Sequence, residues 1–172
     1  MRCLMDMPIT EKIVIETNQE VDGLSPEMIE KEMTNLSKSQ PDLLYFVLTS
    51  VEDMEDDAKE LGIYLFFVIY KIFKKAYGKI KKATYKDIEK SYDYNFGIME
   101  HLENADEKYI LDFAEKEVVK QPNVMRYLTE TLMLEDPEED FSLSTEDKGF
   151  LFLIFLTVID ILDKKSNKAM KV

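Results

Sequence analysis

The sequence predicts an all-α protein, folded as a compact bundle of about seven helices. Two stretches, residues 61–73 and 150–162, are apolar around nearly the whole circumference of a helix and therefore need other helices around them. Both are shorter than the roughly 20 apolar residues of a membrane span. The 172 residues contain only five glycines and five prolines, too few for the many tight turns of an all-β fold. A chain of this length is expected to form a single domain, residues 1–172.

The first 24 residues carry the weakest pattern, and we expect them to form an N-terminal arm. The β-branched run at residues 12–16 favours a short strand, which needs a partner to be stable. Such an arm could lie extended on the helices or exchange with another subunit.

Residues 25–77 are predicted to form a first unit of three helices. Ser25, followed by a proline, is typical of a capped helix start, and Met28, Ile29, Met33 and Leu36 then share the apolar face of this first helix. Pro41 opens the second helix, whose apolar residues recur at helical spacing and which ends in the acidic run 52–57. The third helix is the apolar stretch 61–73 with its extension to residue 77, where a glycine offers a stop.

Residues 84–103 are predicted to form a connecting helix. Thr84 and Asp87 stand three residues apart, the spacing of a capping box at a helix start. Apolar residues then share one side of the helix up to residue 102, with Gly97 as a weak point.

The pattern of the first unit returns over residues 106–165. Gln121-Pro122-Asn123 repeats Gln40-Pro41-Asp42, and a second acidic loop again precedes an apolar helix, with a serine cap at Ser144. We therefore expect two related three-helix units whose apolar helices pack together. The alternative is that unrelated amphipathic helices resemble each other by chance.

Charge is distributed unevenly along the chain. The net charge is −13, yet residues 71–90 carry eight lysines against two acids, a local charge of +6. We predict a ligand- or partner-binding surface in this segment, made of lysines interleaved with two tyrosines: Lys74, Lys75, Tyr77, Lys79, Lys81, Lys82, Tyr85 and Lys86.

Three interpretations of this lysine segment remain open. It could be a solvated helix C-terminus, where cations are favoured. It could contact an acidic loop of the same or another subunit. It could also grip a phosphate backbone while the tyrosines stack on bases, although the acidic remainder of the molecule would repel a polyanion.

The sequence offers little to a metal or a cofactor, and we expect neither. Cys3 and His101 are the only cysteine and histidine, which excludes the common zinc and di-iron ligand sets. The acidic loop 136–147 places oxygen side chains at calcium-ligand spacing, but Phe141 stands where that loop needs glycine and Asp147 where it needs glutamate. A solvated acidic connection is the favoured interpretation.

No catalytic motif is recognisable. There is no glycine-rich phosphate loop and no nucleophile motif near the single histidine. Asp160, set within the second apolar helix, is the one carboxylate that stands out, and we expect it to face the bundle edge or pair with a lysine such as Lys71.

We therefore predict a non-enzymatic interaction or scaffold protein in the cytoplasm, since the first residues lack the apolar centre of a signal peptide. The expected partner is another protein or a second copy of the chain, for example in a homodimer. We do not expect the chain to bind a membrane. A groove between helices would take a partner helix. The alternative function is binding of nucleic acid or a phosphate ligand through residues 71–90.

Overall fold

The structure is a computed structural model that describes residues 7–103, 120–133 and 143–166. Within these ranges the chain is all-α, without strands. The helices are α1 (Glu11–Asp22), α2 (Pro26–Ser39), α3 (Pro41–Val51), α4 (Asp56–Tyr77), α5 (Tyr85–Glu103), α6 (Pro122–Met133) and α7 (Thr145–Lys165).

Helices α4 and α7 form the centre of the bundle, as the two apolar stretches predict. Eleven residues of α4 and ten of α7 are buried, and the two helices contact each other. The other helices cover them. Helix α1 packs on α4 and α6, helix α5 packs on α7 and α3, and α2 packs mainly on α3.

The predicted helix starts are confirmed by their hydrogen bonds. The Oγ atoms of Ser25 and Ser144 accept from the backbone N–H groups three residues ahead, at 3.3 and 3.0 Å. Thr84 and Asp87 form the predicted capping box, each side chain accepting from the other's backbone N–H. Gly78 ends α4 with a φ of 76°, a conformation that glycine adopts at no steric cost.

Two boundary predictions are wrong. Residues 12–16 form no strand: they belong to α1, because Thr10 caps a helix whose buried side chains recur at helical spacing. The apolar helix α4 begins earlier than residue 61, at Asp56, since two aspartates in its first turn complement the positive end of the helix dipole.

Other predictions fall outside the described residues. They are the helix expected after residue 106 and residues 136–142 of the second acidic loop. Among the helices of the described ranges, none combines the length and apolar character needed to cross a membrane.

Candidate functional site

The eight residues predicted as a binding surface lie in three different environments. Lys74 and Lys75, near the C-terminal end of α4, line a groove beside α2. Five are exposed on the loop after α4 and at the start of α5: Lys79, Lys81, Lys82, Tyr85 and Lys86. Tyr77 is buried.

Tyr77 is not available for stacking on a ligand. Its hydroxyl donates to the carbonyl of Met7 at 3.1 Å and accepts from the side-chain amide of Gln121 at 2.8 Å. The side chain therefore holds the segment before α1 and the start of α6 against α4.

The exposed lysines stand on a backbone that is fixed at several points. The N–H of Lys81 donates to the carbonyl of Lys165 at 2.9 Å, and the buried side chain of Gln40 bonds to Lys81 and Ala83, also at 2.9 Å each. The lysine side chains themselves are exposed. Within the described ranges, none of the four lysines at 79, 81, 82 and 86 forms an ion pair with a carboxylate.

The groove lies between α1, α2 and α4 and has a volume of about 640 Å³. Each of the two long walls comes from one helix, at positions i, i+3, i+4, i+7 and i+8. The walls are Met28, Lys31, Glu32, Asn35 and Leu36 on α2, and Phe67, Tyr70, Lys71, Lys74 and Lys75 on α4.

Helix α2 leaves this groove open because it has little apolar surface to bury against α4. Leu36 is its only buried residue, and Met28, expected to share the apolar face, is half exposed at the groove. Two polar contacts bridge α2 and α4. Glu32 pairs with Lys71 at 2.5 Å, and the hydroxyls of Ser39 and Tyr70 lie 3.0 Å apart.

No family model matches this chain, and no curated protein or solved structure matches it either. The arrangement of the groove therefore supplies the argument for function.

The groove is positively charged in an otherwise acidic molecule. Its lining contains four lysines against two glutamates. Lys75 pairs with Glu20 at 2.5 Å, a hydrogen bond that raises the pKa of Lys75 and lowers that of Glu20. Neither Lys31 nor Lys74 forms an ion pair with a carboxylate of the described chain, so both ammonium groups can receive an acidic ligand.

Two lysine side chains also lie over the aromatic rings of the α4 wall. The Nζ atom of Lys71 lies 5.6 Å from the ring centre of Phe67, and that of Lys74 lies 5.9 Å from the ring centre of Tyr70. A cation–π contact at an exposed site is weak, about 0.5–1 kcal/mol. A ligand carboxylate that pairs with Lys74 therefore needs little free energy to draw the ammonium group away from the Tyr70 ring.

Asp160 pairs with a lysine, as expected, but its lysine partners are Lys164 and Lys120 and not Lys71, which pairs with Glu32. Its carboxylate accepts from Ser91 Oγ at 2.5 Å and from Lys164 at 3.0 Å, with Lys120 at 4.0 Å. Helix α5 thus presents a polar inner face to α7, and Asp160 serves that contact.

Neither His101 nor the acidic loop is part of a metal site in the described residues. His101 is exposed on α5. Residues 136–142 of the acidic loop, which has calcium-ligand spacing, lie outside the described ranges, while Asp147 stands in the first turn of α7. Across the residues that the structure describes, no group of three or more His, Cys, Asp or Glu side chains is arranged to hold a metal ion.

Sequence reasoning missed the contribution of α2 to the groove. It located Lys74 and Lys75 but assigned the apolar residues of α2 to the core. The signal was present: Lys31 and Glu32 share the helix face of Met28 and Leu36, which is unusual for a face that is fully packed.

Proposed function

We propose that this chain is a non-enzymatic interaction module whose groove beside α2, lined as described above, binds an acidic amphipathic helix of a partner protein. The observation that carries the proposal is the spacing of the two groove walls. Both walls are single helix faces, at i, i+3, i+4, i+7 and i+8, and they border an unfilled gap.

A helix fits this gap better than an extended peptide. Two adjacent helix faces with this spacing present side-chain ridges and grooves that a third helix can complete. No unpaired strand edge is available to an extended peptide within the described residues. Helix α2 has 14 residues and is about 21 Å long, and its lining positions 28–36 span about 12 Å, or rather more than two turns of a partner helix.

The charge of the lining selects an acidic partner. Lys31 and Lys74 are the two groove lysines that form no ion pair with a carboxylate of the described residues, and they lie on opposite walls. Acidic side chains on the partner would pair with them, while apolar side chains would pack on Met28 and on the Tyr70 ring that Lys74 now covers. Electrostatic complementarity of this kind mainly sets partner choice and association rate.

Site-specific photo-crosslinking in native host cells tests the proposal, because it captures whichever protein occupies the groove. A photoreactive phenylalanine analogue replaces Met28 in the groove or, as a matched control, Tyr94, which is exposed on α5. We expect the Met28 position to crosslink to one protein segment with apolar residues at helical spacing and an acidic face. The Tyr94 position should not capture that segment.

The charge requirement is tested on the same crosslink. The double variant Lys31→Glu, Lys74→Glu should abolish it, whereas Lys38→Glu, Lys90→Glu, with the same net charge but outside the groove, should retain it. Crosslinks that persist in the groove variant, or a captured segment without acidic residues, would contradict the proposal.

A second candidate function is binding of a phosphate-bearing polyanion by the exposed lysine loop, residues 79–86. The observation in its favour is that the four lysines of this loop have no acidic partner in the described chain. Binding of a labelled single-stranded oligonucleotide should then fall steeply with salt and be lost on Lys79→Glu, Lys81→Glu, Lys82→Glu.

We also propose that the chain is an internal duplication, with a boundary that differs from the predicted three-helix units. Supporting this, Thr10 and Thr84 each cap a helix whose buried residues follow at four, seven and eleven positions. These buried residues are Val14, Thr17 and Val21 in α1, and Ile88, Ser91 and Asn95 in α5. Helix α5 is then the counterpart of α1 rather than a connector.

The two Gln-Pro pairs support the same boundary. Gln40 and Gln121 are both buried, and each carboxamide oxygen accepts, at 2.9 Å, from the backbone N–H directly before a capping threonine. The bonds cross between halves: Gln40 bonds to Ala83, and Gln121 bonds to Ile9.

A further inference from the structure

The two ends of the bundle carry opposite charges. The N-termini of α4 and α7 border one cleft, lined by four carboxylates together with Met54 and Phe150. The carboxylates are those of Asp53, Glu55, Glu146 and Asp147. We name this the acidic cleft; its volume is about 780 Å³.

The lysine loop lies at the opposite end. It follows α4 directly after Gly78, and Lys81 bonds to the carbonyl of Lys165 at the end of α7. Helix α4 has 22 residues and therefore separates the two ends by about 33 Å. One molecule is thus unable to pair its own lysine loop with its own acidic cleft.

The lysine loop and the acidic cleft are complementary in more than charge. Four lysines and the ring of Tyr85, which is 63% exposed, project from the loop. The acidic cleft offers four carboxylates and the apolar groups of Met54 and Phe150. Asp53, Glu55 and Glu146 form no ion pair inside the described part of the molecule.

From this match we infer that the chain self-associates head to tail, the lysine loop of one copy seating in the acidic cleft of a second copy. Such a contact joins different surfaces of the two copies, so it closes into a ring or continues as an open chain. It goes beyond the proposed partner helix and uses neither wall of the groove beside α2.

Sedimentation velocity of the full chain with charge-reversed variants tests this inference. The first variant, Lys79→Glu, Lys81→Glu, Lys82→Glu, gives the lysine loop a negative charge like that of the acidic cleft. The second, Asp53→Lys, Glu55→Lys, Glu146→Lys, gives the lining of the cleft a positive charge like that of the lysine loop. All six positions are exposed, and circular dichroism checks that the helical content is unchanged.

We expect the wild type to associate at about 10 mM salt, where the Debye length is about 30 Å, and to dissociate at about 1 M, where it is about 3 Å. Each variant alone should be monomeric, because its two ends repel. An equimolar mixture of the two variants should associate again. The groove variant Lys31→Glu, Lys74→Glu should associate like the wild type.

Three results would overturn the inference. They are a wild type that stays monomeric at about 10 mM salt, a variant that associates alone as the wild type does, and a mixture of the two variants that stays monomeric. If the wild type is monomeric yet binds an oligonucleotide through residues 79–86, the lysine loop serves a polyanion and not a second copy.

Discussion

The two halves of the molecule, residues 7–77 and 81–166, are alike in how they are held together and different in what their described residues leave open. In both, a capped first helix packs on a long buried helix, and a buried glutamine before a proline reaches across to the other half. In the first half, α4 faces the groove of about 640 Å³. Among the described residues of the second, α7 faces a cavity of about 20 Å³.

The difference arises at a few side chains on the two central helices. The groove positions Phe67, Tyr70, Lys71 and Lys74 of α4 have the same spacing as the cavity positions Leu156, Ile159, Asp160 and Asp163 of α7. The carboxylate of Asp160 accepts a hydrogen bond from Ser91, and that of Asp163 accepts one from Gln121, so both carboxylates serve contacts inside the bundle. Positions that join helices in one half thus line the proposed binding groove in the other.

Replacing the two bridging glutamines should have the largest effect on stability. Gln40→Leu and Gln121→Leu roughly keep the side-chain volume but leave buried polar groups unpaired. Each unpaired group costs about 1–3 kcal/mol in the free energy of unfolding. We expect each variant to lose about 2–4 kcal/mol in the free energy of unfolding. Urea denaturation measures this loss.

The exposed Gln19 provides the control, since Gln19→Leu should change stability by less than about 0.5 kcal/mol. If only one of the two buried glutamines matters, the halves are not equivalent, and the proposed duplication loses its main support.

Gly62 in α4 and Gly149 in α7 show a second difference between the halves, because only Gly62 is closely packed. A Cβ at Gly62 would lie 2.9 Å from Val51 Cγ1 and 3.4 Å from Leu151 Cδ2, within the packed core. Gly62→Ala should therefore cost about 1–3 kcal/mol. At Gly149 a Cβ meets nothing within 4 Å, so Gly149→Ala should stabilise the helix by up to about 1 kcal/mol.

Thermal unfolding of the two alanine variants distinguishes these outcomes, with a lower Tm for the first and an equal or higher Tm for the second. Equal losses at both positions would show that α4 and α7 are packed alike at their N-terminal ends, which contradicts the geometry.

Asp87 provides a smaller and pH-dependent difference, since α1 has no counterpart of its capping box. The hydrogen bond from Lys165, at 2.8 Å, and then the backbone N–H of Thr84 hold the pKa of Asp87 well below its usual range. A lowered folded-state pKa gives stability that is present above the unfolded value of about 3.9 and lost as the pH falls below it.

Asp87→Asn should therefore cost about 1 kcal/mol at pH 7. The gap between variant and wild type should narrow below about pH 4. Urea titrations at pH 7 and below about pH 4 measure this difference in stability, with Asp93→Asn on the exposed side of α5 as the control. A gap that stays constant with pH would show that the carboxylate charge is irrelevant at this position.

The fold was largely predictable because burial leaves a strong periodic signal. The apolar stretches around Phe67 and Phe155 had to be central, and the serine and proline starts are local chemistry that the fold retains. Helix α1 was missed because its short β-branched run resembles a strand, while its cap at Thr10 and the distant bond from Gln121 to Ile9 decide the outcome.

The site was predictable only in part. A lysine-rich segment is visible in any sequence, but its division among a groove, an exposed loop and the buried Tyr77 depends on which way α4 faces. The α2 wall had a local signal, Lys31 and Glu32 on the same helix face as Met28 and Leu36, but the facing of this wall to α4 required the third dimension.

The most direct test of the proposed groove function is a display selection of random peptides, about 16 residues or four helical turns long, against the wild-type protein. Selected peptides are then measured against Lys31→Glu, Lys74→Glu and the control Lys38→Glu, Lys90→Glu. We predict acidic sequences with apolar residues every three to four positions, whose binding weakens at least about tenfold, or about 1.4 kcal/mol, in the groove variant alone. Selected peptides that lack acidic residues, or that bind both variants equally, would contradict a helix-binding groove beside α2.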